Sequence, residues 1–146
     1  MDIDIESWAS GMRPAIRGLV ENLGGDVVAF DSDPLTAVEV LDDFVARLPL
    51  DEMETEDWIG LHTDLTAFVS VVLMDKLGGI LRAREDASLP AGWEPVIEVM
   101  GPDRQVRQVA PVTIVRQNLH PVPQRIPRLI ETALGYATGR ISKGLL

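Results

Sequence analysis

The chain has 146 residues, no cysteine, 46% hydrophobic residues and a formal net charge of −10. That length fits one domain able to bury roughly two-thirds of the surface its unfolded chain exposes, and the apolar content excludes intrinsic disorder. The missing cysteines exclude disulfides, thiolate catalysis and thiolate metal sites, and the negative charge disfavours nucleic acid, whose affinity is dominated by phosphate contacts. The charge is also uneven. Residues 1–75 hold seventeen carboxylates and three basic side chains, whereas residues 76–146 hold ten basic and six acidic ones. Such an asymmetry bears on partners and encounter rates rather than on a reaction.

The start of the chain carries Asp2, Asp4 and Glu6 where a secretory signal needs a positive charge and an apolar run, and no segment approaches the ~20 apolar residues that span a bilayer. The expectation is a soluble cytoplasmic protein. Trp8, Met12, Ile16, Leu19, Val20 and Leu23 recur at helical spacing and end at Gly24 and Gly25, which suit a helix terminus. Because proline fits the first turn of a helix best, Pro14 predicts that the regular helix begins near Arg13. Asp26 to Phe30 reads equally as an edge strand or an extended connector. A second helix is predicted from Asp33 as N-cap and Pro34 as first residue, with Leu35, Val38, Leu41, Val45 and Leu48 on one face and Pro49 as its stop. Glu39, Asp42, Asp43 and Arg47 form its solvated side.

Asp51, Glu52, Glu54, Glu56 and Asp57 are the densest acidic run. They read as carboxylates stabilising the start of the next helix, with Thr55 as its cap, or as an acidic binding surface. A calcium loop would need alternating ligands and a central glycine that are absent. The third helix is predicted over 55–77, with Trp58, Leu61, Leu65, Phe68, Val69, Val72 and Leu73 along one side. From Ala67 to Met74 it is apolar nearly all round, so it must be covered on several sides. His62 and Asp64, two residues apart, fall on its polar side and point in different directions, so they make neither a metal site nor an acid–base pair.

Gly78 and Gly79 end that helix, and strands are predicted at 80–84, 95–100 and 105–109, the last two flanking a turn at Gly101 to Arg104. They form a three-stranded antiparallel meander that packs on the third helix, with Trp93 closing the polar loop before the second strand. Residues 112–116 have strand propensity, but Pro111 followed by Val112, Val115 and Leu119 at helical spacing favours a short helix. His120 to Pro123 reads as a turn or extended segment. Ile126, Leu129, Ile130, Ala133, Leu134 and Ala137 make the apolar side of a final helix with Pro127 near its start. The tail from Gly139 to Leu146 is either frayed or docked. The fold class expected is α+β: helices packed on a small three-stranded antiparallel sheet, helix-rich, as a single domain over 1–146, with residues 1–30 as an N-terminal helix and connector.

The segments LMDKLGGILRA, AGWEPVIEV and VAPVTIV carry an order of helix, Gly-Gly, strand, loop ending in Trp, hairpin, V-x-P-V and helix. This layout, over about residues 34–120, resembles small bacterial domains of unknown function, some of them actinobacterial. The resemblance implies no activity and no catalytic residues.

No phosphate-binding glycine loop, zinc-protease helix or nucleophile elbow is present, and two histidines in separate contexts assemble no triad. No catalytic residue, no cofactor and no metal is therefore expected. Arg104, Arg107, Arg116, Arg125, Arg128, Arg140 and Lys143 are expected to pair with the acidic half inside the monomer; the alternatives are a basic face or contact with the acidic half of another copy. The expected function is a small binding or inhibitor protein that engages a partner with a basic surface through Asp42, Asp43, Asp51, Glu52, Glu54, Glu56 and Asp57. The alternative is a structural or assembly subunit, bound to itself or to a complex through an apolar helix or the sheet edge.

Overall fold

A computed structural model of the chain describes residues 5–119 and 125–140. Its architecture is α+β, with helices packed on a three-stranded antiparallel sheet. Helix α1 spans Ile5–Asn22, beginning well before Arg13. Met12, Ile16 and Val20 are buried, with Trp8, Leu19 and Leu23 packed beside them. Pro14 therefore lies inside the helix. It is exposed, as is Ser10, so the carbonyl of Ser10 that loses its helical donor faces water. Continuing the helix back to Trp8 gains burial that offsets the proline, which costs ~3 kcal/mol in a helix interior. At the far end the N–H of Gly25 donates to Val20 O at 2.8 Å.

Residues after Gly25 form neither a strand nor a connector but a short helix, α2, Val27–Ser32. Asp26 decides this. Its Oδ1 accepts from the backbone of Val28 and Ala29 at 3.0 and 3.1 Å, satisfying the orphan donors of a first turn. Phe30 then enters the core. Asp33 caps as expected, accepting from Leu35 N–H at 3.0 Å, but the turn it opens, Pro34–Ala37, is a 3₁₀ helix. It leads into α3, Val38–Ala46. Leu41 and Val45 are buried, and Leu35, Val38 and Leu48 lean on the core.

Helix α4, Thr55–Leu77, lies at the centre of the fold. Every residue from Leu65 to Leu73 is buried, because α1, the 3₁₀ turn, the sheet and the two C-terminal helices all pack against it. Thr66 and Ser70 tolerate this by donating their hydroxyls back to the carbonyls of His62 and Thr66, at 2.7 and 2.8 Å, which satisfies buried polar groups internally. Thr55 does not cap the helix: Glu54 occupies that position without a side-chain bond. Gly78 closes the other end in the left-handed region at φ 66°. Gly79 follows where a Cβ would come within 2.4 Å of Ile97 Cγ2 and 3.1 Å of Leu73 O.

That close approach sets the sheet directly on the helix. Strand β1, Ile80–Glu85, pairs with β2, Trp93–Met100, and β2 with β3, Val106–Val109. Trp93 opens β2 opposite Glu85. The β2–β3 turn is closed by Gly101 N–H on Gln105 O at 2.9 Å and holds Arg104 at φ 65°. Ile97, Val99 and Val109 face the core. Residues after β3 resolve as a helix, α5, Pro111–Leu119, and the chain ends its described part with α6, Ile126–Thr138. The segment His120 to Pro123 and the tail beyond Arg140 lie outside the described residues.

Asp42 departs from the solvated role read from its spacing, being 9% exposed. Its carboxylate takes a fork from Arg125, with Nε at 3.0 Å and one NH2 bond at 2.6 Å, and accepts from the backbone N–H of Ile126 at 2.9 Å. It thus caps α6 from another helix. The Arg125 hydrogen bonds, reinforced by the Ile126 bond and the guanidinium charge, hold its acid strength on the strong side of an ordinary aspartate against the opposing effect of burial. The arginine side chain is 55% exposed, so solvent screens its charge, whereas the backbone N–H of Ile126 is buried and depends on this carboxylate for its bond.

Two outcomes follow from this packing. Gly79→Ala forces Ile97 and the Leu73 carbonyl apart and lowers stability by about 1–3 kcal/mol in urea denaturation, with the native helix content kept. Asp42→Ala strands the Ile126 N–H and lowers stability by about 1–2 kcal/mol at neutral pH. Because the folded pKa of Asp42 is depressed, that difference is full above an ordinary aspartate pKa of about 3.9 and shrinks as pH falls below it.

Candidate functional site

Reactive side chains are few and scattered. Among the described residues no three histidine or carboxylate side chains gather to hold a metal. His62 is half-buried on α4, where burial chiefly, and then the Arg116 charge, lower its pKa against the opposing effect of a Val112 backbone bond. Asp64 is half-buried without a cation beside it, and burial pushes its pKa up. Two residues apart on one helix, the two side chains point in different directions, and no hydrogen bond or ion pair joins them among the described residues.

Charge is organised more clearly. Ion pairs join Arg13 to Asp75, Arg17 to Asp31, Lys76 to Asp33, Arg84 to Glu94, Arg107 to Asp103 and Arg125 to Asp42. The expected pairing of C-terminal arginines with the acidic half holds at Arg125. Arg107 instead pairs locally with Asp103, whose carboxyl is held at about 2, chiefly by the Arg107 hydrogen bonds and then by the Gln105 backbone bond. The Arg107 guanidinium fills a slot between two glycines: a Cβ would come within 2.5 Å of its NH1 at Gly101, or of its NH2 at Gly139. Lys143 lies outside the described residues.

The acidic run separates from this network. Asp51 and Glu52 lie in a 3₁₀ turn, Leu50–Glu52; Glu54 occupies the cap position of α4, and Glu56 and Asp57 its first turn. All five are exposed, and none takes part in an ion pair among the described residues. Three residues after Glu56, and so on the same side of the helix, stands Ile59, 60% exposed. Asp43 is exposed on α3, where it borders a cleft of 270 Å³ with Asp26 and Glu39. Asp42 drops out of the group, since its carboxylate is committed to Arg125 and Ile126.

Beside the sheet edge expected from the sequence lies an apolar outer face that went unread. The register places Ile80, Glu98 and Gln108 in one row, and Met100 beside Val106. These side chains share the face of the sheet opposite the core, and Ile80, Met100 and Val106 are the large apolar residues exposed there. A groove of 710 Å³ begins on this face and wraps the β3 edge, lined by Arg84, Glu98, Val106 and Gln108 on one side and by Thr113 and Tyr136 on the other. Its signal was present in the register of the turn: once Met100 is placed opposite Val106, both fall on the polar side of the alternation.

Asp64 is a desolvated carboxylate that forms no ion pair among the described residues, and burial of a charge without a partner is costly. Its raised pKa means that the folded chain binds this proton more tightly than the unfolded chain, so stability falls as pH rises past the ordinary aspartate range. Asp64→Asn therefore raises the thermal midpoint at pH 7 and leaves it unchanged at pH 3, as read by circular dichroism.

No helix among the described residues is long and apolar enough to cross a membrane. No protein-family model, curated protein or solved structure matches the chain.

Proposed function

We propose that the chain is a small cytoplasmic binding protein without catalytic activity, an inhibitor-type module whose acidic end engages a basic surface on a partner protein. The observation that supports this reading is the uncompensated run at the start of α4. Five exposed carboxylates, Asp51, Glu52, Glu54, Glu56 and Asp57, stand outside the ion pairs that occupy other acidic side chains. The helix dipole offsets part of their repulsion, by ~0.3–1 kcal/mol for each carboxylate near the terminus. The remainder is field projected into solvent, which accelerates encounter with a basic patch. Ile59, exposed on the same side, supplies the apolar contact that holds a complex once formed.

A second reading, a structural or assembly subunit, draws on Ile80, Met100 and Val106, a set of exposed apolar residues on one sheet face. Salt separates the two, since screening weakens the first contact and leaves the second intact. The test is capture of partners from host lysate at low and high salt. The wild-type chain is set beside a variant carrying Asp51→Asn, Glu52→Gln, Glu54→Gln, Glu56→Gln and Asp57→Asn. On the acidic-end reading a basic protein is retained at low salt, is released at high salt, and is lost by more than tenfold from the variant, whose melting temperature stays within a few degrees of wild type. Retention that resists salt and survives the substitutions moves the function to the sheet face, and retention of nothing sinks both.

A further inference from the structure

We propose that the free edge of β3 takes up an extended, acidic segment of a partner protein as a fourth strand of the sheet. β3 ends the order β1–β2–β3, so one side of it has no strand. Which groups it presents there is fixed by the turn. Gly101 N–H donates to Gln105 O at 2.9 Å, and residue pairs in an antiparallel ladder alternate between exchanging backbone bonds and facing away. Counting on through Met100 with Val106, Val99 with Arg107 and Glu98 with Gln108, the backbone of Arg107 points to β2 and that of Val106 and Gln108 points outward. No backbone bond from another element reaches these outward groups among the described residues.

They open onto the 710 Å³ groove, whose opposite wall is formed by Thr113 and Ile114 of α5 and Tyr136 of α6. The volume lies within the ~300–1,000 Å³ typical of ligand sites. An edge with unmet donors and acceptors, an exposed Val106 and a walled groove beside it has the parts used in strand addition: main-chain bonds for affinity and a trough for alternate side chains. Short strands are one way of blunting an edge, and β3 at four residues is short, which also sets the length of segment it admits.

Charge favours a short acidic segment over a second copy. Edge pairing of two copies would rest on a contact only about 14 Å long, between chains of net charge −10, whereas a stable association buries ~800 Å² per partner. A peptide segment needs less. At the hairpin end of the groove, Arg104 and Arg140 are exposed and neither has a carboxylate partner among the described residues. Arg104 belongs to the turn and Arg140 follows Gly139, which abuts Arg107. An antiparallel segment would bring its C-terminal end to these two arginines, so carboxylates belong there. This site is separate from the acidic end of α4 and is testable without it.

The experiment is a titration of the isotope-labelled full chain, followed by backbone amide signals, with the soluble peptide Val-Thr-Val-Thr-Val-Glu-Glu. The expected result is a saturable shift of the Val106 and Gln108 amides with a Kd between micromolar and millimolar. Replacing the two glutamates by lysine, or N-methylating alternate peptide nitrogens, weakens it at least tenfold. Gln108→Pro, which removes an outward N–H from an edge where proline is tolerated, does the same while distant signals stay in place. Equal binding of the N-methylated peptide, shifts confined to other surfaces, or no shift at millimolar peptide each overturns the proposal. So does movement of the same two amides with protein concentration alone, which would assign the edge to a second copy.

Discussion

The structure is organised by the need to hide one helix on every side. Between Leu65 and Leu73, α4 presents no face that water can wet, and a helix of that kind is stable only where other elements surround it. The rest of the chain supplies the cover: α1 on one flank, the 3₁₀ turn after Asp33 on another, α5 and α6 further round, and the sheet across what is left. Even its polar residues conform, Thr66 and Ser70 turning their hydroxyls back into the helix. The sheet's place in this cover depends on Gly79, where the absent side chain lets Ile97 reach the end of the helix.

The uneven charge of the sequence does not fold up into one large attraction between halves. Most pairs form between near neighbours or adjacent elements, as in Arg84 with Glu94 across two strands and Arg107 with Asp103 within a turn. Arg13 with Asp75, Lys76 with Asp33 and Arg125 with Asp42 join segments distant in the chain, and the last of these carboxylates also receives the N–H of Ile126. The densest group of carboxylates outside these pairs stands at one end of α4, and Ile80, Met100 and Val106, three of the five exposed large apolar residues among the described ones, stand on the outer face of the sheet. These two surfaces thus sit at two different places on the fold.

Much of this was legible from residue spacing. The bounds of α4, the glycine terminus, the meander and the helix after Pro111 all follow from periodicity and from the chemistry of glycine and proline. What escaped was decided by single contacts. The run from Asp26 to Phe30, with its adjacent valines, looks extended until the carboxylate of Asp26 is seen to cap a helix there. Pro14 looks like a helix start until its carbonyl partner is found on the wet side. Asp42 has the spacing of a surface residue, and only the return of the chain 84 positions later makes it a cap. The groove at β3 was hidden for a similar reason, since it is built from a strand edge and two helices that adjoin only after folding.

Arg107 shows what such late contacts accomplish. Its flat guanidinium occupies a slot whose walls are Gly101 in the hairpin and Gly139 at the end of α6, with Asp103 gripping it from the turn. A planar ion with a fixed fork of donors suits that space, and a lysine ammonium, compact and round, would leave the walls apart. The hairpin tip and the last turn of α6 are in this way riveted into a single lever. Helix α6 is thus pinned at both ends by a charged side chain from outside it, Arg107 at its C-terminal glycine and Asp42 at the N–H of its buried first residue, Ile126.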